Sequence, residues 1–462
     1  MDELTCFKTY DIRGVVDDNL TRDIARRIGR AYAAWLHPRR VVVGADVRLS
    51  SEALKTALID GLTAGGVDVI DLGMTGTEEV YFATRELRAD GGIQVTASHN
   101  PANYNGFKLV GLEARPISND NGLLEIKALA EQNHFPPCVR RGGVFPFDNR
   151  PTWVNCLLRF LTTPLKRTLR LVVNAGHGTA GPALDALDEG LTRAGVPVEF
   201  IRIHHQPDGR FPAGVPNPML AENRQSTRLA VIEHHADAGI AWDGDFDRCF
   251  FFDERGDYVE NYYLVGLFAE HFLQRYPGSR VILDPRLIWN TLDVVARCGG
   301  SAIVSKTGHA FIKARMRRED AIYGGEMSGH HYFRDFNYCD SGMIPLILML
   351  QILGATALPL SQWLRHAQAR YPVSGEINLT VNDPAALLQD VATHYTSAAA
   401  RRDDCDGLSL AFADWRFNLR ASNTEPLVRL NVETRGDAAL LVHKTHEVLM
   451  LISALQAAKE TL

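Results

Sequence analysis

The chain has 462 residues, of which 46% are hydrophobic, and a formal net charge of -6 at pH 7. This length predicts about three domains with room for substantial cores. The mild acidity gives no reason to expect binding to nucleic acid or to an anionic membrane surface.

The cysteines and the first ten residues indicate the compartment. Those ten residues mix acids, Lys and Cys without an apolar stretch, so no signal peptide is predicted and we expect a cytoplasmic protein. An odd number of scattered cysteines predicts neither a disulfide framework nor a CxxC metal site, and fits a reducing compartment. The seven are Cys6, Cys138, Cys156, Cys249, Cys298, Cys339 and Cys405.

Short β-branched segments alternate with helical stretches along the chain, which predicts parallel sheets covered by helices. The clearest pairs of strand and helix are Arg40–Val43 with Ser51–Thr63, Leu169–Val173 with Ala180–Ala194, and Arg280–Leu283 with Trp289–Arg297.

Three breaks in this pattern predict four domains. A Pro-, Gly- and Arg-rich region ends the first, a polar turn at 254–257 the second, and Tyr371-Pro372 the third. We predict an α/β fold with four domains: three bounded at 1–150, 151–256 and 257–371, and a smaller α+β domain at 372–462. The last ends in a strand pair and an amphipathic helix, Asp437–Ala458.

The segment 91–101 begins with a short apolar strand and ends in a turn of small residues. This turn displays the Ser98 hydroxyl beside the His99 imidazole, the arrangement of an activated serine nucleophile. A Ser-His pair in a loop is more often turn chemistry than catalysis. The assignment of Ser98 as a nucleophile therefore depends on the segments that follow.

The segment Gly176–Gly181 supports a different function. It satisfies G-x-G-x-x-G after a strand and before a helix, and Glu199 follows where a ribose-binding acid would lie. A nicotinamide-dependent dehydrogenase is the alternative that this segment favours. That alternative leaves Ser98 and the aspartates described next without a function.

Asp243, Asp245 and Asp247 alternate between two apolar segments. Three close carboxylates form an oxygen cage suited to Mg²⁺, which takes few protein ligands and keeps the remainder for water and phosphate. An EF-hand is the rival interpretation, but Arg248 stands where that loop requires glycine. A solvated acidic turn is the other, although it would leave the three charges repelling each other between buried strands.

The segment 324–330 places Glu326, Ser328 and His330 in a glycine-rich turn. These side chains offer the donors and acceptors that hold sugar hydroxyls, while an ordinary polar turn with a capping serine remains open. The nearly apolar stretch Gly342–Leu360 follows. It is long enough to span a membrane, but its proline and glycine breaks favour a buried helix.

The last polar turn combines a guanidinium, two hydroxyls and an amide. Together with backbone N–H groups these donors predict a phosphate cradle. A helix N-cap would also use such residues, but Pro426 and the strand-like segment 427–432 argue against a helix. The cradle residues are Arg420, Ser422, Asn423 and Thr424, with Arg429 beyond them.

These four loops, in this order, resemble the α-D-phosphohexomutase family over essentially the whole chain. The family's opening signature resembles Phe7–Gly14, and the segment Gly44–Ser51 follows the first strand. The methionine at position 327, between Glu326 and Ser328, resembles the residue found in the phosphomannomutase/phosphoglucomutase branch. The chain is most similar to bacterial members that act in GDP-mannose synthesis. The resemblance implies three consecutive α/β domains with mixed, mainly parallel sheets, which carry the phosphoserine loop, the metal site and the sugar loop, and a smaller C-terminal α+β domain that binds phosphate, around a central cleft.

The family's activity follows from the same resemblance. It implies transfer of phosphate between O6 and O1 of a hexose, here mannose, with glucose as the alternative substrate. It also implies that Ser98 is stored as phosphoserine, that Mg²⁺ bridges this phosphoserine to the aspartates, and that a hexose 1,6-bisphosphate serves as intermediate and activator. A catalytically dead binding module would need a central residue replaced, and none is. The expected partner is a phosphosugar; the oligomeric state is not predicted.

The resemblance also implies residue roles. Glu326, Ser328 and His330 would hold the sugar hydroxyls, and the cradle residues would hold the idle phosphate. Arg286 stands where other members often have lysine, and the specificity contact with the substrate at that place is assigned to it. For Lys108, Arg248 and His309 a surface-charge or core-polar role remains the alternative. The residues matched near the phosphoserine, the metal and the reacting hydroxyl are Arg13, His99, Lys108 (a candidate for proton transfer), Arg248 (charge neutralisation) and His309.

Overall fold

The computed structural model describes residues 3–395, 398, 401–421 and 427–460. These residues form two compact units, each built from two segments of the chain. The first unit comprises the chain up to Tyr258 together with His330–Leu360. The second comprises Val259–Gly329 together with the chain from Ser361 onward. The four domain ranges given above stay a prediction.

The first sheet has six strands in the order β1-β5-β4-β2-β3-β6. Strand β2 pairs in parallel with β3 and β4, whereas β5 runs antiparallel to β4 and β1. The strand predicted at Arg40 and the helix predicted at Ser51 are confirmed. The elements are β1 (Ile12–Val15), α1 (Arg22–Leu36), β2 (Arg40–Ala45), α2 (Ser51–Ala64), β3 (Asp68–Met74), α3 (Thr77–Glu86), β4 (Gly91–Val95), β5 (Tyr104–Val110), α4 (Leu123–Gln132) and β6 (Val144–Pro146).

A helix cap and the burial of one strand fix two elements of this region. Thr21 caps α1 by accepting a hydrogen bond from the Ile24 N–H at 3.2 Å, which satisfies one of the free donors at a helix N-terminus. Every residue of β4 is buried because the strand lies inside the sheet. The residues after β4 are therefore held at a fixed edge of the sheet.

A second sheet follows in the same unit. Strand β7 lies between β8 and β9 and is parallel to both, and β10 pairs antiparallel with β9. The strand and helix predicted at Leu169 and Ala180 are confirmed. The elements are α5 (Arg150–Leu158), β7 (Leu169–Asn174), α6 (Ala180–Arg193), β8 (Val198–Ile203), α7 (Gln225–Glu233), β9 (Ala238–Trp242) and β10 (Cys249–Phe252); β11 (Tyr258–Val259) lies where the chain enters the second unit.

The segment 259–329 of the second unit contains three parallel strands and three helices. Strand β12 pairs with both β13 and β14. The predicted strand at Arg280 and helix at Trp289 are confirmed. The elements are α8 (Asn261–Arg275), β12 (Arg280–Leu283), α9 (Trp289–Arg297), β13 (Ser301–Val304), α10 (His309–Glu319) and β14 (Tyr323–Gly325).

The chain then returns to the first unit as a hairpin and an apolar helix: β15 (His331–Phe333), β16 (Cys339–Asp340) and α11 (Met343–Gly354). Every residue of α11 is buried, which confirms the buried helix predicted in this stretch. Its polar residue, Gln351, is satisfied because Nε2 donates to the Phe160 carbonyl at 2.8 Å and Oε1 accepts from the Thr162 N–H at 2.7 Å.

The C-terminal part of the second unit is an antiparallel sheet in the order β17-β21-β20-β19-β18. This confirms a smaller α+β region and the predicted strand at Leu427. Helix α14 is long and apolar enough to cross a membrane, which for one helix is weak evidence; its Val448 and Ile452 pack in the core of this region. The elements are α12 (Leu360–Arg370), β17 (Val373–Thr380), α13 (Pro384–Tyr395), β18 (Arg401–Asp403), β19 (Leu408–Ala411), β20 (Trp415–Ala421), β21 (Leu427–Thr434) and α14 (Ala438–Glu460).

Candidate active site

Ser98 lies in the loop between β4 and β5, at the edge of the first sheet. Its backbone has a φ of 50°, in the left-handed region that L-residues other than Asn and Asp rarely adopt. The Ser98 N–H donates to Thr96 Oγ1 at 2.8 Å, which stabilises the turn. The hydroxyl is buried: Oγ donates to Asp243 Oδ2 at 2.5 Å and lies 3.0 Å from His99 Nδ1.

Arg48 holds this loop in place. Its guanidinium donates to the carbonyl oxygens of Ser98 and Asn100 through one nitrogen, at 2.9 and 2.6 Å. The other terminal nitrogen donates to the carbonyls of Pro101 and Tyr104, at 2.7 and 2.9 Å. Only 2% of Arg48 is exposed, and Nε lies 3.4 Å from an Asp46 oxygen, which balances the buried charge. Arg48 belongs to the segment Gly44–Ser51, and its local sequence did not predict this role.

The three aspartates occupy the hairpin loop between β9 and β10. All three are buried, and each offers an oxygen within 4.8 Å of the others. Asp245 Oδ1 has no hydrogen-bond partner among the described residues, and a buried oxygen in this state is costly unless a cation or water meets it. The donor set of oxygens only suits a hard divalent cation. The residues present therefore fit the metal that sequence analysis predicted.

Two side chains from the first sheet meet this loop. Lys108, on β5, places Nζ 2.6 Å from Asp245 Oδ2 and 2.5 Å from Asp247 Oδ2. Thr77, at the start of α3, donates its hydroxyl to Asp245 Oδ2 at 2.5 Å and its N–H to the Asp245 carbonyl at 3.0 Å. Lys108 was predicted near Ser98, and the structure places it directly on the aspartates. Thr77 is an addition that local sequence did not reveal.

Burial and mutual repulsion divide the charge among these groups. Burial, Asp247 and Asp245 together raise the pKa of Asp243 to about 7. Burial alone would also raise the pKa of Asp247, but Lys108 and His330 hold it well below its usual range. The pKa of Lys108 is raised by Asp245 and Asp247 against the effect of burial. Burial, with Arg248 and Arg13, lowers the pKa of His99 well below its usual range, so its imidazole is neutral.

Three further predicted residues lie in this unit: Arg13, Arg248 and His330. Arg13 donates to Asp11 Oδ2 at 2.9 Å and to the Thr96 carbonyl at 3.1 Å, next to the Ser98 turn. Arg248 Nε lies 3.7 Å from an Asp243 oxygen, and its role in charge neutralisation stays a prediction. His330 Nε2 lies 3.6 Å from Asp247 Oδ1. The structure thus places His330, assigned by sequence to the sugar loop, beside a carboxylate of the aspartate loop.

The other predicted sugar residues lie in the second unit. The Gly308 N–H donates to Glu326 Oε1 at 2.8 Å, and His309 begins α10 immediately after Gly308. The fold thus brings Glu326 next to the turn that carries His309. Ser328 lies two residues further along and is partly exposed. The Met327 N–H between them donates to Asp284 Oδ2 at 2.8 Å, which fixes this turn.

Three arginines meet around one acid in the same unit. Arg286 is held by Asp284, with Nη2 2.7 Å from Oδ2, and its Nη1 lies 3.4 Å from Glu376 Oε2. Arg420 and Arg429 lie 3.7 and 3.8 Å from oxygens of the same Glu376. The predicted cradle residues Ser422, Asn423 and Thr424 lie outside the described residues. Glu376 was missed because it lies on a strand distant in sequence from its arginines.

The glycine-rich segment at 176–181 packs against the aspartate loop. A Cβ at Gly178 would lie 2.8 Å from the Gly244 carbonyl oxygen, so only glycine fits. Thr179 donates to that carbonyl through both its N–H, at 3.1 Å, and its hydroxyl, at 3.0 Å. Glu199 pairs with Arg170 at 2.9 Å. The glycines thus have a structural explanation that needs no dinucleotide.

Comparison with known proteins places this geometry in a family. Four described regions match in order: phosphoglucomutase/phosphomannomutase alpha/beta/alpha domain I over residues 5–136, domain II over 152–256, domain III over 260–371 and the C-terminal domain over 376–448. The chain therefore belongs to the α-D-phosphohexomutase family of phosphate-transferring mutases. This membership confirms the predicted architecture and gives the dehydrogenase alternative no support.

Individual relatives agree along nearly the whole chain. A phosphomannomutase of Salmonella montevideo is 56% identical over 456 residues, 98% of this chain and 100% of that protein. A phosphomannomutase of Vibrio cholerae is 53% identical over 461 residues, again 98% of this chain and 100% of that protein. A solved phosphoglucomutase/phosphomannomutase family protein of Burkholderia thailandensis has a TM-score of 0.87 at 33% identity, covering 98% of both chains.

Proposed function

We propose that this enzyme interconverts mannose 6-phosphate and mannose 1-phosphate through a phosphoserine at Ser98. The observation that carries the proposal is the 2.5 Å contact between Ser98 Oγ and Asp243 Oδ2, in a loop of three buried aspartates. A hydroxyl facing a cation cage is placed where a transferring phosphate would be neutralised. The phosphomannomutases named above support mannose as the sugar.

The metal would be Mg²⁺, held by Asp243, Asp245, Asp247 and an oxygen of the Ser98 phosphate. When bound, it would neutralise charge on the transferring phosphoryl group. Arg248, 3.7 Å from Asp243, adds positive charge at the same place. Lys108, an ammonium because its pKa is raised, is a donor beside Asp245 and Asp247.

The reaction needs two phosphoryl transfers. In the first, the bond between phosphorus and Ser98 Oγ breaks and phosphorus bonds to the free hydroxyl oxygen of the sugar phosphate, giving a hexose 1,6-bisphosphate; the proton of that hydroxyl ends on Ser98 Oγ. In the second, the bond between the other phosphorus and its sugar oxygen breaks, that phosphorus bonds to Ser98 Oγ, and the freed sugar oxygen takes up a proton. The Ser98 proton then leaves towards Asp243, which already accepts its hydrogen bond, or towards the neutral imidazole of His99 at 3.0 Å.

Between the two transfers the bisphosphate must reverse its orientation. A site that serves both orientations has to read groups common to both, which favours hydroxyl recognition by Glu326 and Ser328. It also needs a separate place for the idle phosphate, for which Arg420 and Arg429 offer paired N–H donors. The resemblance assigns Ser422, Asn423 and Thr424 to the same cradle. Added bisphosphate would activate any unphosphorylated enzyme.

The product, a sugar 1-phosphate, is the form that nucleotidyl transfer activates, so we place the enzyme before GDP-mannose synthesis in the cytoplasm. Glucose phosphates differ from mannose phosphates only in the configuration at C2, which sets the direction of O2. A difference of one hydroxyl gives modest discrimination unless a buried partner reads it. A comparison of kcat/KM for mannose 1-phosphate and glucose 1-phosphate, with Mg²⁺ and catalytic bisphosphate, decides the preferred sugar.

Mass spectrometry of peptides from purified enzyme tests the nucleophile. We expect phosphate on Ser98, or its appearance after incubation with hexose 1,6-bisphosphate, and no mutase turnover in Ser98→Ala. Ser226→Ala removes a hydroxyl elsewhere in the same unit and should retain activity. Phosphate on a different residue, or full turnover in Ser98→Ala, would disprove the assignment.

A further inference from the structure

The carboxylate of Glu376 lies among three guanidinium groups. Its oxygens are 3.4 Å from Arg286, 3.7 Å from Arg420 and 3.8 Å from Arg429. Its side chain is 13% exposed, so these charges interact with little screening by water. Asp284 also pairs with Arg286, and Asp406 lies 3.8 Å from Arg420. Glu376 is the acid that all three arginines share, and two of them, Arg420 and Arg429, are the ones we assign to the idle phosphate.

The pairing of the strands explains why Glu376 lies close to these arginines. Glu376 on β17 pairs with Asn431 on β21, and Arg429 lies two residues from Asn431, on the same face. Arg429 in turn pairs directly with Arg420 on β20. Glu376 therefore projects from the same face of the sheet as both arginines, and two arginines directly opposite each other repel unless an anion lies between them.

Arg286 Nη1 donates a hydrogen bond to Glu376 Oε2 at 3.4 Å, but the other two arginines keep donors unused. Among the described residues, Arg420 Nε and Arg429 Nε are buried and have no hydrogen-bond partner. Burial would raise the pKa of Glu376, but the three arginines lower it below its usual value, so the group stays ionised. A phosphate, with more charge and more acceptor oxygens, would use the donors that Glu376 leaves unused.

We propose that Glu376 is an internal counter-ion that competes with the substrate's idle phosphate for Arg286, Arg420 and Arg429. The inference rests on the function proposed above and adds how that phosphate is released. A phosphate binds only when the carboxylate gives up its contacts, so the apparent affinity for phosphate is the intrinsic affinity multiplied by the fraction of time that the arginines are free. When phosphate leaves, the carboxylate reoccupies the arginines, which is useful in a site that must release the bisphosphate to turn it over.

Isothermal titration with inorganic phosphate tests this competition. Glu376→Gln keeps the shape of the side chain and removes its charge, so phosphate should bind about tenfold more tightly than to wild type, as expected if the arginines are free about a tenth of the time. Glu376→Asp retracts the carboxylate by one methylene and should bind phosphate with intermediate affinity. Asp414→Asn is the matched control: it removes an exposed charge at the opposite end of β20 from Arg420 and should leave the affinity unchanged.

The same titration separates this inference from the function on which it rests. Arg420→Ala should weaken phosphate binding; if it does not, the phosphate site itself is wrong. If Arg420→Ala weakens binding but Glu376→Gln leaves it unchanged or weaker, Glu376 merely orients the arginines and the competition is overturned. Thermal unfolding of each variant checks folding, and Glu376→Asp carries the test if Glu376→Gln does not fold. Mutase kinetics should show the same order, with a lower KM in Glu376→Gln.

Discussion

The loop around Ser98 and the arginine cluster around Glu376 are both proposed to bind phosphate, but they are built in opposite ways. In the first, the contacts are hydrogen bonds of 2.5 to 2.9 Å between buried groups, such as those from Lys108 to the aspartates and from Arg48 to the Ser98 loop. In the second, ion pairs of 3.4 to 3.8 Å leave guanidinium donors unused. On the proposed function, the first region would hold the reacting atoms in fixed positions, and the second would keep its donors available for a phosphate that binds and dissociates.

This difference predicts that one region acts on the free energy of activation and the other on the free energy of substrate binding. Interactions made at the reacting phosphoryl group should lower the barrier and appear in kcat, because the geometry is set before substrate arrives. Interactions with the idle phosphate hold substrate, intermediate and product alike, and should appear mainly in KM. Variants in the two regions should therefore affect different kinetic constants.

The largest effect is expected from loss of the metal. EDTA should abolish turnover and Mg²⁺ should restore it, because without a cation the three aspartates would repel an anionic phosphoserine. Asp245→Asn should lower kcat roughly a hundredfold to a thousandfold at limiting Mg²⁺, the equivalent of several kcal/mol. Asp257→Asn, an exposed acid after β10, is the control. Wild-type turnover by Asp245→Asn at low Mg²⁺ would show that the metal is bound at another place.

Arg420→Ala tests the other side of the comparison. Loss of one charge-assisted contact of about 1.5–3 kcal/mol corresponds to roughly a tenfold to a hundredfold loss in kcat/KM, equal in both directions of the reaction. The loss should lie mostly in KM, while phosphate on Ser98 is retained. Arg402→Ala removes an exposed arginine from the same region as a control. A defect in one direction only would show that Arg420 reads one end of the sugar phosphate, and the shared cradle would be wrong.

Arg48→Lys is a smaller change within the Ser98 region. Lysine keeps the charge, but its single ammonium cannot span the four carbonyls that the guanidinium binds. We expect kcat to fall about tenfold with KM nearly unchanged, since a small displacement of the nucleophile acts on the chemical step. Arg26→Lys, on the exposed face of α1, should behave as wild type. A rise in KM with kcat unchanged would mean that Arg48 serves binding rather than positioning.

The smallest effect concerns Glu78, a buried acid outside both regions. Its Oε2 accepts hydrogen bonds from the Ser341 hydroxyl and the Gly342 N–H, at 2.8 and 2.7 Å, and Oε1 accepts from Trp153 Nε1 at 3.1 Å. Glu78→Gln should lower the free energy of unfolding at pH 5 by about 1–2 kcal/mol, because the amide N–H cannot accept one of these donors. Catalytic constants should be unchanged.

The effect of pH on Glu78 has a definite sign. Burial raises its pKa to about 8, whereas the unfolded value is about 4.3. Between these values the native state keeps a proton that the unfolded state has lost, so the stability contributed by Glu78 falls as pH rises. Denaturant unfolding should therefore show that the advantage of wild type over Glu78→Gln in the free energy of unfolding is smaller at pH 8 than at pH 5. A gap that widens with pH would show that Glu78 is ionised in the folded protein.

Most of what sequence predicted rests on local patterns. The strand at Arg40 and the helix at Trp289 follow from β-branched segments and helical periodicity within a few residues. The aspartates 243, 245 and 247 could be assigned to one loop because they alternate between two apolar strands. Ser98 could be singled out because its hydroxyl and the His99 ring stand together in a turn of small residues.

The features of the site that could not be predicted are contacts between residues distant in sequence. Arg48 binds the Ser98 carbonyl 50 residues away, and Thr77 binds Asp245 168 residues away. No local pattern distinguishes such an arginine or threonine from an ordinary surface residue. Glu376 was missed for the same reason, because its role depends on strand register. His330 lies one residue before a new strand, and the direction of that strand decides which partner it meets.

The division of each unit into two segments bears on how the protein is made. Helix α11 packs against α5, β7 and β10 of the first unit, and the donors that meet Glu78 stand just before it, more than 260 residues later in the chain. During synthesis, the segment 259–329 leaves the ribosome before they do. Until residues 330–360 emerge, the nascent first unit exposes the apolar surface that α11 will cover, so the period of greatest need for a chaperone lies between these two points of translation.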